Sequence, residues 1–96
     1  MVDNAEKKLL ADTGHRIRET RAAQGLSLEQ LARLTGISAP ALSLIETGKR
    51  DPRLTTLNRI ADALRVPIAA LIADLSGIEE PSAPSPYEGY DLGDYQ

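Results

Sequence analysis

Between residues 11 and 76 apolar side chains recur at intervals of three and four, the period of amphipathic helices that share one core. The stretch 27 to 47, SLEQLARLTGISAPALSLIET, is the most explicit. Ser27 is placed to cap a helix, with Gln30 three residues on to complete a capping box, and Leu28, Leu31 and Ala32 form the inward stripe. Thr35-Gly36 ends that helix, because glycine alone takes a left-handed backbone without a Cβ clash. Ser38 is the next cap. Pro40 falls in the first turn, where its missing N–H costs nothing, and Leu42 and Ile45 continue inward through a second helix of about two turns. Ala32 is small where the two axes cross, so the second helix can lie across the first with its outer face free.

These residues resemble the lambda-repressor-like, or Xre, helix-turn-helix family. Upstream, Gly14-His15-Arg16-Ile17-Arg18 and Arg21 fit the family's first helix; downstream, Ile45-Glu46-Thr47-Gly48-Lys49-Arg50 and Pro52 fit the loop after its recognition helix. Leu57, Ile60-Ala61, Ala63-Leu64 and Val66 fit the fourth helix and its exit, and Ile68, Leu71 and Ile72 the fifth. Five helices in family order are far more specific than one glycine-centred turn. The fold expected is therefore all-α, a compact five-helix bundle over residues 11 to 76, with residues 1 to 10 as an N-terminal extension and 77 to 96 as a disordered acidic tail.

Composition agrees. Ninety-six residues allow one small domain, and an apolar fraction of 42% suffices for its core. There is no Phe or Trp, and all three tyrosines lie beyond position 86, so the core is built from Leu, Ile, Val and Ala. The absence of cysteine excludes disulfides and thiolate metal sites. MVDNAEKKLL lacks the apolar run of a signal peptide, and the longest apolar run, 66 to 73, is too short to span a bilayer, so a cytoplasmic location with no membrane contact is expected.

The net charge of −3 is unevenly placed. Residues 11 to 76 carry nine bases and seven acids, whereas residues 77 to 96 carry five acids and no base. The acidity belongs to the tail. Within the domain, Lys49, Arg50 and Arg53 cluster after the recognition helix, where the resemblance implies contact with the DNA backbone; Ser27, Leu28 and Thr47 join that set, and Arg53 is also a candidate for a narrow minor groove.

Base-facing positions of the family map to Ala39, Pro40 and Leu44, flanked by Ser38 and Ser43. None of the first three carries a hydrogen-bonding side chain. Apolar contact with thymine methyl groups is what they offer, with the serines as permissive donors or acceptors, so direct readout is expected to be weak. Leu44 either meets the groove or folds back to cover its own helix pair or a partner protein.

The family also sets an arginine of its first helix against the glutamate ending its third, and Arg21 and Glu46 hold those positions as a structural ion pair. Two departures stand out. Arg53 occupies the usual capping position of the fourth helix, which would pass the cap to Thr55 or Thr56, and Arg65 replaces the glycine at that helix's end, which asks a non-glycine residue for positive φ.

Catalysis has little to build on. His15 is the only histidine, and Asp12, Glu19, Glu29 and Asp62 fall on outward helix faces, so no enzyme activity, metal or cofactor is expected. The resemblance implies a regulator, a repressor, that binds a pseudo-palindromic operator in double-stranded DNA as a homodimer. Ile68, Leu71, Ile72 and Leu75 form its expected dimer surface, and core packing is expected to take part of that stripe. The segment SGIEEPSAPSPYEGYDLGDYQ holds three of the six prolines and three of the seven glycines without apolar periodicity. It is either a solubilising tail or a strip that binds a protein partner, the other subunit or the basic loop; in an antitoxin-like or adaptor protein it would do the partner binding while the domain regulates its own gene.

Overall fold

A computed structural model of the chain describes residues 4–73. Among these residues there are five α-helices and no strand: α1 Asn4–Ala23, α2 Leu28–Thr35, α3 Ala39–Glu46, α4 Leu54–Leu64 and α5 Ile68–Ile72. Helix α1 packs on α3, α4 and α5, while α2 packs on α3 and α4. The resulting core contains Ile17, Leu31, Leu42, Ile45, Leu57, Ile60, Ala61, Leu64 and Leu71, an aliphatic set as the composition requires.

The local signals between α1 and α3 act as the sequence suggests. Ser27 Oγ accepts the Gln30 N–H at 3.0 Å and the Gln30 side chain accepts the Ser27 N–H at 2.7 Å, a complete capping box. Gly36 ends α2 at φ 76°, donating its N–H to Ala32 O. Ser38 caps α3 by accepting the Ala41 N–H at 3.2 Å. Ala32 is half-buried against the core at the α2–α3 junction.

Three expectations need revision. Helix α1 begins at Asn4, so residues 4 to 10 continue the first helix of the bundle and the boundary drawn at residue 11 falls inside it. The start of α4 has no side-chain cap: Arg53 is the N-cap and Thr55 and Thr56 lie within the helix. Leu71 is fully buried in the core and is unavailable to a partner subunit, whereas Ile68 is half-buried and Ile72 exposed; Leu75 lies outside the described residues, as do the segment 77 to 96 and the end of the domain at 74 to 76. Leu28 packs part of its side chain against the core, as its place in the inward stripe implies, and stays half-buried at the start of α2. Arg65, in contrast, does take the left-handed conformation, with φ 60° and ψ 41°.

One close approach sets the position of α3. A Cβ at Gly14 of α1 would lie 2.4 Å from Ile45 O and 2.5 Å from Glu46 O, so the glycine allows α1 to rest directly on the C-terminal backbone of α3. No helix of the described residues is long and apolar enough to cross a membrane.

Candidate nucleic-acid interface

The side of α3 turned away from the core is formed by Pro40 and Ser43, both exposed, with Ala39 and Leu44 half-buried beside them. Ser38 is exposed at its N-terminal end and Thr47 at its C-terminal end. Leu42, Ile45 and Glu46 are buried on the opposite side, so α3 is held by one face and presents the other. Leu44 is half-buried, and part of its side chain reaches solvent.

The hydroxyls of this surface are not equivalent. Ser38 Oγ is occupied as an acceptor by the Ala41 N–H. Thr47 Oγ1 donates to Ser43 O at 2.9 Å and approaches Leu44 O at 3.3 Å, which leaves no hydroxyl proton for a phosphate while that bond persists. The Ser43 hydroxyl makes no hydrogen bond to another described residue.

Beyond α3 the chain folds back on the helix end. The N–H groups of Lys49 and Arg50 both donate to Leu44 O, at 2.8 and 3.2 Å, and the Gly48 N–H donates to Ile45 O at 3.1 Å. These bonds satisfy carbonyls that every helix leaves open at its C-terminus, and they fasten the basic segment beside the outer face of α3. Lys49, Arg50 and Arg53 are exposed, and none forms an ion pair with another described residue. Their charged groups face solvent, and with Asp51 among them the segment stays net positive. At the other end of the motif, Ser27 is exposed, and the capping box uses the Gln30 N–H while the N–H groups of Leu28 and Glu29 stay open in the first turn of α2.

Behind this surface Arg21 and Glu46 lock α1 to α3. Arg21 Nε donates to Glu46 Oε2 at 2.7 Å and Nη2 to Oε1 at 3.0 Å, a two-pronged arrangement, and Nη1 donates to Leu26 O at 2.9 Å. The Glu46 side chain is only 5% exposed. The hydrogen-bonded Glu46 raises the pKa of the Arg21 guanidinium above its ordinary value, so the charged form is favoured despite partial burial.

Sequence patterning gave no role to three residues that support this surface. Gly14 makes the α1–α3 approach possible, Gln24 Nε2 donates to Leu64 O at 2.7 Å and ties the end of α1 to α4, and Arg16 Nη1 donates to Ile72 O at 3.2 Å and ties α1 to α5. Gly14 and Arg16 entered the sequence reading only as members of the stretch that fits the family's first helix, and Gln24 did not enter it. A shallow cleft of about 480 Å³ between α1 and α5 is lined by Asp12, His15, Arg16, Glu19 and Thr20, where His15 Nε2 and Glu19 Oε2 pair at 3.0 Å in the open. No group of three or more His, Cys, Asp or Glu among the described residues could hold a metal ion.

Comparison with known proteins agrees with this geometry. The transcriptional repressor RghR of Bacillus subtilis is 39% identical over 77 residues, covering 78% of this chain and 57% of its own. The transcriptional regulator Rv0474 of Mycobacterium tuberculosis is 43% identical over 72 residues, 75% of this chain and 51% of its own. The chain thus spans about half the length of these curated relatives. Among solved structures, the restriction-modification controller protein C.AhdI of Aeromonas hydrophila superposes with a TM-score of 0.63 at 37% identity, over 65% of this chain and 94% of its own. The clp gene regulator ClgR of Corynebacterium glutamicum superposes with a TM-score of 0.65 at 28% identity, over 67% and 82%. The helix-turn-helix family HTH_3 matches residues 17–71, which include the turn, the buried ion pair and the core helices, and the chain belongs to this lambda-repressor-like family.

Proposed function

We propose that this chain is a DNA-binding transcription regulator, a repressor, that inserts α3 into the major groove and acts as a homodimer on a two-fold symmetric operator. The observation that carries the reading is the pairing of a helix presented on one face with an exposed, net positive segment containing Lys49, Arg50 and Arg53, fastened to its end through Leu44 O. An eight-residue helix carried across α2 fits the groove, and bases beside it meet the phosphates that flank that groove. Ser38, Ala39, Pro40, Ser43 and Leu44 face the base edges. Ser27, the open N–H groups of Leu28 and Glu29, Lys49 and Arg50 hold the backbone; Thr47 stands between the two sets, and Arg53 lies at the edge of the minor groove. The regulators and repressor among its relatives support the same role.

The dimer uses the α4–α5 side. Leu54 is 68% exposed and forms a shallow apolar groove with Thr55, Asn58 and Ile68, and Ile72 is exposed nearby on α5. A contiguous apolar groove, more than any single exposed leucine, marks this side as a contact surface. One domain alone contacts too few base pairs to be selective, and pairing sets two reading helices about 34 Å apart on one side of the duplex.

Selection from a random duplex library at roughly physiological salt tests the reading, because nonspecific phosphate binding weakens there and specific binding persists. Enrichment of a two-fold symmetric site supports a dimeric operator-binding protein. No enriched sequence refutes sequence-specific binding and shifts attention to a protein partner; an enriched asymmetric site bound by one copy refutes the dimer.

A further inference from the structure

The outer side of α3 carries no side chain that can read a base by a forked hydrogen bond. Ala39, Pro40 and Leu44 have no polar side-chain atom, Ser38 Oγ is engaged with the Ala41 N–H, and Thr47 Oγ1 is turned back to Ser43 O. Gln30, a residue type that pairs with adenine through its amide oxygen and nitrogen together, has its oxygen occupied by the Ser27 N–H at 2.7 Å. What is left for hydrogen bonding is Ser43, the proton of Ser38, a lone pair on Thr47 Oγ1 and the donor-only NH2 group of Gln30; none of these presents a paired donor and acceptor in one plane, so they separate bases poorly.

In the major groove one feature remains that apolar atoms can distinguish: the methyl group on C5 of a pyrimidine. Resting on the DNA-binding reading above, we infer that α3 recognises the pattern of C5-methyl groups along its half-site, through Pro40, Leu44 and Ala39, and not the hydrogen-bonding edges of the bases. Thymine and 5-methylcytosine are then equivalent at the contacted positions, and uracil and cytosine are equivalently poor. A groove lined by the methyl groups of successive pyrimidines is a continuous apolar strip, and the ridge made by Pro40 and Leu44 is its complement.

The test uses the full chain and a duplex enriched from the random library. Each thymine is replaced in turn by deoxyuridine, which deletes the methyl and keeps both hydrogen-bonding edges. Removal of one buried methyl weakens binding about fourfold, so at least one thymine in each half-site shows a loss of that size. Changing that T·A pair to C·G weakens binding, and methylating the new cytosine at C5 restores it to within about twofold. In Leu44→Ala the thymine-to-uridine ratio falls toward one, whereas Ser43→Ala lowers affinity without altering the ratio. Uridine that binds as well as thymine at every position of a specifically bound duplex overturns methyl reading and leaves DNA binding intact. Failure of any duplex to bind specifically overturns both, and the two failures are told apart by the unmodified duplex.

Discussion

Gly14→Ala is the substitution for which two simple arguments predict opposite signs. In an isolated helix the change removes the flexibility of glycine and favours α1 by about 1 kcal/mol. In this fold the new Cβ would stand 2.4 Å from Ile45 O, 2.5 Å from Glu46 O and 2.7 Å from Glu46 C. These are backbone atoms at the end of α3 and cannot rotate away, so α1 and α3 must separate by about 1 Å to reach ordinary contact. A gap of that size forfeits a quarter to a half of the dispersion attraction across the contact, and overpacking of this kind costs roughly 1–3 kcal/mol. The clash is with backbone, and two of the three atoms belong to Glu46 itself, whose side chain pairs with Arg21, so the upper part of that range applies. After the helix-propensity gain, a net loss of about 2 kcal/mol is expected, equivalent to a fall in Tm of roughly 8–16 °C for a domain of this size. Urea denaturation followed by far-ultraviolet circular dichroism measures it directly. A Gly14→Ala protein as stable as the parent, or more stable, would show that α1 does not rest on the α3 carbonyls and would refute the packing argument.

Four further outcomes follow from the same geometry. Glu46→Ala strands the partly buried Arg21 charge and should cost about 3 kcal/mol or more in a thermal melt, where an unchanged midpoint would reduce the pair to a surface contact. Ser27→Ala removes one arm of the capping box and should cost about 1 kcal/mol, read by chemical denaturation. Arg65→Gly relieves a left-handed backbone at φ 60°, a strain of about 1–2 kcal/mol, against a smaller entropic gain of the unfolded chain; a Tm rise of a few degrees is expected and a fall would contradict it. Arg50→Ala should lower the steepness of the logarithmic dependence of DNA affinity on salt by about 0.9, and an unchanged slope would remove Arg50 from the phosphate contacts.

The parts of the fold that were legible in the sequence are those fixed by local chemistry. Ser27 with Gln30, Gly36 and Ser38 with Pro40 each specify a backbone event within four residues, and the structure places each event there. The parts that were not legible depend on what lies across the fold. Helix α1 extends back to Asn4 over a polar, solvent-facing segment, supported by the Lys8 Nζ–Asp12 Oδ2 pair at 2.6 Å, and no apolar periodicity marks that extension. In α5 the spacing of Ile68, Leu71 and Ile72 gives an apolar stripe but not its direction; Leu71 enters the core and Ile72 faces out because the helix is docked on α1 and α4. For the candidate interface, the basic cluster was visible as composition, whereas the two amides that fasten it to Leu44 O, and the inward turn of the Thr47 hydroxyl, are matters of three-dimensional closure.

The brevity of α3 ties recognition to the cooperative unfolding of the whole domain. Eight residues are too few to sustain a helix in water, so α3 exists only while α1 and α2 are docked against it. The fraction of molecules able to bind therefore equals the folded fraction, and the apparent dissociation constant is the intrinsic one divided by that fraction. A core variant that leaves half the molecules unfolded would bind its site twofold more weakly with an unchanged order of preference among sites, whereas a substitution on the reading face would reorder the sites at full folding. Warming toward the melting transition would thus release every site in proportion, as a dimmer acts on all the lamps of one circuit.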